Sequence, residues 1–525
     1  MRAGMWVVAA VLGGLTSPAA AAPIALAPLA LSGQPVPGLP GETFSSFRLP
    51  RIGATGRAAF AAEDPQGVGF YAVDDAGALV PILHQGDAAP GIPGAQLSPV
   101  GGATPLASGR VGVSASLYGT TTGDRAFWVW SESGGTQLVA ALPNVAENLG
   151  GAEVVGPSGT PGFTPTEVVY PAVLSGSGVT PQDDEAVFRS DPSRTRVLLR
   201  EGDPTPGMPG YQVAFTPTVL APDDRDERVI TASVAFQSGQ PWDFVFHRTS
   251  EAGTLERWFA TDQLPEGVLQ GLSTSPFPTN DAFAFTARIA PSGSVAPWTG
   301  LWAVDSQGAL RLAARDGDAL DGAFTLQDLI DARPVFDAAG QLAFEADAVD
   351  ATLVAHSSIM LHDPATGLEL IARSGGAVPG LLDTFFAGVF GHPQMDAAGD
   401  VVFWGELSDP TTSGAHAVFV RRADGSFDVV AREGQRLEVA PGDVRTIASL
   451  MPPPLCLPED CGDRVLSDDR RLVLALGFDD TTSGVFLVSV PEPSAGVVAL
   501  AVLALAAGAP RKPRDPERHR EQRRR

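Results

Sequence analysis

Lysine is almost missing from this chain: Lys512 is the single one among 525 residues, beside 34 arginines. We read that imbalance as codon bias of a GC-rich genome. It leaves no phosphate loop of the GxxxxGK type, because the lysine lies in the last few residues. Cysteine is nearly as scarce, with two in the chain, so a disulfide-built scaffold is excluded. Positive charge is in deficit, 35 Lys and Arg against 60 Asp and Glu, for a net charge of −25. An acidic balance of that size argues against nucleic acid as a partner. Amphipathic helical periodicity is missing except as one or two turns over 320–332, where Gly322 and Phe324 weaken it. Neither HExxH nor a convincing GxSxG elbow occurs. Apolar residues, in contrast, make up 44% of the chain, enough for a large core. Glycine (59) and proline (46) make one residue in five, so turns are frequent.

Both ends read as addresses. Residues 1–22 have a positive start at Arg2, an apolar stretch Met5–Leu15, and a small-residue run Ala19–Ala22 suited to signal peptidase. At the other end come Pro491-Glu492-Pro493, a 16-residue apolar run 494–509, and a tail Arg511–Arg525 with eight Arg or Lys against three acids. Such a run spans about 24 Å as a helix, short of the roughly 30 Å of a bilayer core. Its basic flank fits the cytoplasmic side. The body between, 23–490, carries about −30 by count and reads as exported and acidic.

This three-part end resembles the PEP-CTERM sorting signal of Gram-negative bacteria. The resemblance covers Val490–Arg525 and rests on Pro491, Glu492 and Pro493 in order, followed by the apolar run and the arginines. The tail is longer than that family's usual few basic residues. The resemblance implies reading of the motif by an exosortase, cleavage near it, and delivery to the outer surface or extracellular matrix. A plain membrane anchor is the alternative reading of the same residues.

Internal repetition decides the fold class. A strand followed by a Gly-Asp or Gly-x turn and then Pro-Gly recurs around anchors Gly33, Gly86, Pro143, Gly202, Asp262, Gly317, Gly375 and Gly434. The steps between anchors are 53 to 60 residues. A second phrase is a turn and an Ala-Phe strand: Gly53–Phe60, Asp337–Phe344, Asp396–Phe403 and the shortened Asn280–Phe285. Asp or Asn opens such a turn through its side chain and Gly takes the left-handed position. A third phrase is an aromatic strand, as at 67–73, 126–130, 243–247 and 484–488. Four short antiparallel strands per unit predict an all-β propeller of eight blades, with seven as the alternative. The chain starts with an orphan closing strand, Leu26–Leu31, and its last unit lacks one, which predicts that the N-terminal strand completes the last blade. The Gly-x-x-Ala-Phe copies, with Gly56/Ala59/Phe60 and Gly340/Ala343/Phe344, resemble bacterial NxxGxxAF repeat proteins. That resemblance implies a surface location and supplies no activity.

Residues with chemical potential are few. Cys456 and Cys461, in an insertion of the last unit, read as a local disulfide. His356 and His362 share a strand face and form a conceivable metal pair, with strand-end histidines as the plainer reading. The acidic clusters 183–185, 223–227 and 479–480 offer oxygens of the kind calcium takes, but no EF-hand pattern accompanies them. The hydroxyl loops 120–123, 409–414 and 480–484 read as a shared hairpin turn, with sugar binding as the alternative. The expectation is a non-catalytic exported protein without a cofactor. Its partners would be signal peptidase, an exosortase, and an exopolysaccharide or surface protein. A propeller enzyme acting on glycans is the rival.

Overall fold

Short runs of Ala, Val, Phe and Trp, too short for helices and punctuated by Gly-bearing turns, can bury both faces only if sheets stack on one another. The computed structural model bears this out. It describes residues 24–491 apart from loop stretches, of which 221–229, 273–281 and 452–463 are the longest. The signal segment 1–22 and the apolar run 494–509 lie outside the described residues. No helix among the described residues is long and apolar enough to cross a membrane.

Eight antiparallel sheets follow in chain order. Blade 1 spans 46–84, blade 2 96–142, blade 3 153–200 and blade 4 212–260. Blade 5 spans 268–315, blade 6 319–373, blade 7 385–432, and blade 8 436–489 together with Ala25–Leu31. This is an eight-bladed β-propeller, and Ala25–Ser489 form one compact unit. Within 320–332, where the sequence allows a helical turn or two, the structure has the short strands Ala319–Leu320 and Phe324–Gln327. Pairing with Leu342–Asp350 overrides a weak local helical tendency.

The N-terminal strand closes the ring. Ala25–Leu31 pairs antiparallel with Ser483–Ser489, and Ser32 Oγ accepts the Ser483 N–H at 2.9 Å. The inner strand of blade 1, Ser46–Ile52, lies against Arg471–Phe478 of blade 8 on one side and Ala103–Pro105 of blade 2 on the other. Closure leaves no open sheet at the seam of the array.

A common frame runs through all eight blades. Each has a bulge between its third and outermost strands. The third-strand residue just past it is Tyr71, Trp128, Phe188, His247, Trp302, Met360, Phe419 or Phe486 in blades 1 to 8. Its partner on the second strand is the Ala-Phe phenylalanine or its counterpart: Phe60, Val113, Tyr170, Thr231, Phe285, Phe344, Phe403 and Leu474. Phe403 stacks on Phe419 at 5.3 Å and Tyr170 on Phe188 at 5.7 Å. Second strands such as Ala58–Asp64 and Val401–Ser408 are buried along nearly their whole length, because a neighbouring blade covers each face. The core is therefore a set of layers between blades, one of which joins Ala59 and Phe70 of blade 1 to Val113 and Trp128 of blade 2. Each fully buried aromatic contributes roughly 1.5–3 kcal/mol.

The Gly-Asp…Pro-Gly phrase is the link from the outer strand of one blade to the inner strand of the next. Gly33, Gly86, Gly202, Gly317, Gly375 and Gly434 have φ between 73° and 90°. Each donates its N–H across the loop, for example Gly33 to Phe44 O at 2.8 Å and Gly375 to Phe386 O at 2.7 Å. A side chain would be strained in that left-handed conformation. Pro143 follows a cis peptide bond, and Asp262 lies outside the described residues.

Candidate functional site

Propeller topology sorts the loops onto two ends. One end, the turn face, carries the hairpins between strands one and two and, in every blade but the split blade 8, those between strands three and four. The other, the loop face, carries the hairpins between strands two and three and the inter-blade links.

On the turn face, carboxylates shape backbone. Asp337 Oδ1 accepts the N–H groups of Ala339 and Gln341, both at 2.8 Å. Asp396 Oδ1 accepts those of Ala398 and Asp400 at 2.8 and 3.0 Å. Asp74 and Asp305 do the same in third-to-fourth-strand turns. Arginines then cross from blade to blade. Arg110 Nη1 donates to Pro165 O at 2.6 Å, and Arg311 Nη2 to Gly340 O at 3.1 Å. Arg421 Nη2 donates to both oxygens of Glu369 at 2.8 Å. Arg57 bonds Asp75 and lies over the Trp130 ring at 5.6 Å. These arginines carry charge and hydrogen bonds across the seams between blades.

The loop face holds histidine–carboxylate rivets. His84 Nε2 lies 2.8 Å from Asp64 Oδ2, and its Nδ1 lies 2.8 Å from Gln85 O. His356 repeats the arrangement with Asp350 Oδ2 at 3.3 Å and Ser374 O at 2.9 Å. Each ring is thus held through both of its nitrogens, one against a carboxylate and one against a backbone carbonyl. His416 Nδ1 meets Glu433 Oε1 at 3.1 Å. Beside the first rivet is an open depression of about 450 Å³ lined by Ser45, Arg48, Glu63, Asp64, Gly67, Val68 and Gln85. Its walls are mostly hydrogen-bonding groups, and Arg48 pairs with Glu63 across it.

The cluster Asp183-Asp184-Glu185 is also at this end. Asp183 accepts the Thr180 N–H and hydroxyl and pairs with Arg200 Nη2 at 2.8 Å. The Thr180 backbone hydrogen bond does most to hold its carboxyl below the usual range. Buried Glu201 behind it is pushed up to about 7, first by burial and then by Glu185 and Asp184. Asp479-Asp480 shapes a hairpin, with Asp480 Oδ1 accepting the Thr482 N–H at 3.0 Å. Arg445 there donates to Thr482 Oγ1 at 2.7 Å, so this hydroxyl serves the turn.

His356 and His362 do share a strand face but do not meet: six residues of strand separate them by about 20 Å, and His362 lies near Arg311 at 3.5 Å. Burial, then Arg311, lowers the His362 pKa. Among the described residues, no three His, Cys, Asp or Glu side chains are grouped to hold a metal ion. Cys456, Cys461, Glu492, Pro493, the cluster 223–227 and the hydroxyl loops 120–123 and 409–412 lie outside the described residues. Pro491 is the last described residue.

Sequence reasoning missed His247. It is fully buried in blade 4, bonded through Nε2 to Ser233 Oγ at 3.1 Å, and its Nδ1 has no hydrogen-bond partner. Burial, with Arg257 adding to it, pushes its pKa down to about 4. The signal was available as a departure from the repeat, since every other blade has a large apolar or aromatic side chain there.

A family model matches residues 21–147 and 354–497, just over half of the chain. The chain belongs to the DUF7453 family, a family of unknown function. Blades 1, 2, 7 and 8 fall inside the match. No curated protein matches. Among solved structures, the chain is similar to the β-propeller domain of the Trilobed protease from Pyrococcus furiosus, at 8% identity, covering 74% of this chain and 98% of that one, with a TM-score of 0.36. It is also similar to the polysaccharide lyase Uly1 at 10% identity, covering 85% and 89%, with a TM-score of 0.33. An α-L-arabinanase from Penicillium chrysogenum matches at 13% identity, covering 63% and 92%, with a TM-score of 0.28. At these identities no residue of those proteins maps onto a residue of the family chain.

Proposed function

We propose that this member of the family is a non-catalytic exported scaffold, sorted by its C-terminal segment 491–525 to the cell surface or extracellular matrix. The observation that carries the reading is where the titratable side chains are spent. Asp64, His84, Asp350 and His356 rivet loops, while Asp337 and Asp396 shape turns. Groups so engaged give rigidity to a display surface. The polar depression at blade 1 and the acidic loop face are the surfaces offered to a glycan or protein ligand. Signal peptidase and an exosortase would be the processing partners, and an exopolysaccharide or surface protein the final one. The motif Pro491-Glu492-Pro493, the apolar run and the arginine-rich tail support this destination.

The test is the intact mass and C-terminal peptide of the protein purified from its native host. A mature chain ending near Pro491–Pro493 supports sorting. A chain that keeps Arg511–Arg525 refutes it and makes the protein a membrane-tethered propeller.

A further inference from the structure

The inner turns of blades 6, 7 and 8 share one design with a telling exception. Asp337 and Asp396 open the first two, and Gly340 and Gly399 occupy the left-handed position with φ of 82° and 87°. In blade 8, Ser467 Oγ opens the turn by accepting the Arg471 N–H at 2.9 Å, and the glycine position holds Arg470 at φ 62°. A non-glycine residue there carries a conformational cost. Its side chain points into the blade 7 turn, with Nε 3.7 Å from Asp396 Oδ2 and 3.4 Å from Asp400 Oδ2.

Asp396 and Asp400 are each 1% exposed, and neither Oδ2 has a hydrogen-bond partner. Their Oδ1 atoms are committed, Asp396 to its turn and Asp400 to the Ala423 N–H at 2.9 Å. The other groups facing the pair are Asp337 and Gln341 of blade 6, packed against Gly399, and Arg422, which is bound to Asp428. Two buried carboxylates thus face one guanidinium across the seam, an arrangement that is costly with both ionised.

We propose that the seam between blades 7 and 8 is a proton-operated latch. Asp396 holds a proton when it is closed, so that Arg470 faces a single charged carboxylate. Loss of the proton sets the carboxylates against each other and loosens the seam. The blade 8 turn also ties to blade 1 through the Asp468 N–H to Ala54 O at 3.1 Å and the Ile52 N–H to Arg464 O at 2.7 Å. Loosening therefore reaches the ring closure.

The pH direction agrees. Burial first, then Asp400, pushes Asp396 up to about 6 from 3.8. A raised folded value means that the contribution is full below the ordinary carboxylate value and lost as pH rises through about 6.

Hydrogen exchange of peptides covering 396–402 and 464–472 in the full chain tests this, after correction for intrinsic rates. Between pH 5 and pH 7.5, seam opening in the wild type should increase about tenfold. Asp400→Asn, whose amide keeps an acceptor for Ala423, should weaken that dependence, leaving only the part that burial causes. Arg470→Gln should steepen it. A flat wild-type profile, or an unchanged profile in Asp400→Asn, overturns the latch. Millimolar calcium slowing opening at pH 7.5 in the wild type but not in Asp400→Asn would also overturn it, in favour of a cation site.

Discussion

Blade 4 departs from its seven sisters at two positions that touch each other. Where they have Tyr, Trp, Phe or Met, it has His247. Where blades 1, 2, 3, 5 and 6 have Ala62, Ala115, Ala172, Ala287 and Ala346, it has Ser233. Restoring the repeat with Ser233→Ala/His247→Phe removes both partners of a buried hydrogen bond at once, together with the unpartnered Nδ1. Replacing both partners by apolar groups is close to neutral, and relieving an unpaired buried group returns about 1–3 kcal/mol. The double variant should therefore be more stable than the wild type at pH 7 by about 1 kcal/mol or more. Ser233→Ala alone leaves the ring wholly unpaired and should cost about 1–3 kcal/mol. Acid separates the two chains further. His247 is held near 4 in the fold against 6.5 outside it, so the unfolded chain takes up the proton first. The wild type keeps this contribution above 6.5 and loses it as pH falls through about 4. The loss amounts to about 3 kcal/mol, at 1.36 kcal/mol per unit. Urea unfolding followed by tryptophan fluorescence at pH 7 and at pH 4.5 reads both effects. A double variant with the same acid sensitivity as the wild type, or one less stable at pH 7, would refute the reasoning and make the Ser233–His247 pair integral to blade 4.

Deleting Ala25–Leu31 removes the outer strand of blade 8 and bares the edge Ser483–Ser489. The truncated chain should melt well below the wild type and self-associate through that edge, read by calorimetry and size-exclusion chromatography. Two glycines give a controlled contrast. A Cβ at Gly101 would lie 1.5 Å from Ser114 O, so Gly101→Ala should cost more than about 3 kcal/mol. Gly77 has a left-handed φ of 82° but open space around it, so Gly77→Ala should cost only about 1–2 kcal/mol in the same unfolding assay.

How much of this was legible in the sequence follows from what repetition exposes. Gly33, Gly86, Gly202, Gly317, Gly375 and Gly434 recur because a left-handed residue must donate across each inter-blade link. Phe60, Phe344 and Phe403 recur because each faces a large residue across its blade. A spacing set by such backbone needs can be counted, and the blade number and the split last blade came from the count. The strands of blade 6 within 320–332 were not legible because they are only two and four residues long, too short for a period to register. The histidine rivets were invisible for a different reason. His84 finds Asp64 from the outermost strand, while His356 finds Asp350 from the third, so one function is served from two unrelated sequence positions.

The same logic shows where to look for function in a repeat protein. The blades serve as each other's alignment once the bulge fixes their register. Positions where all eight agree report backbone and packing needs, and are satisfied by the fold itself. Positions where one blade departs at a cost report something else. Arg470 accepts a left-handed backbone to place a guanidinium between two carboxylates, and His247 accepts an unpaired nitrogen in a hydrophobic layer. Neither departure improves the blade that carries it. A cost retained against better examples in the same chain points to a property of the whole ring, and a response to pH is the property these two residues have in common.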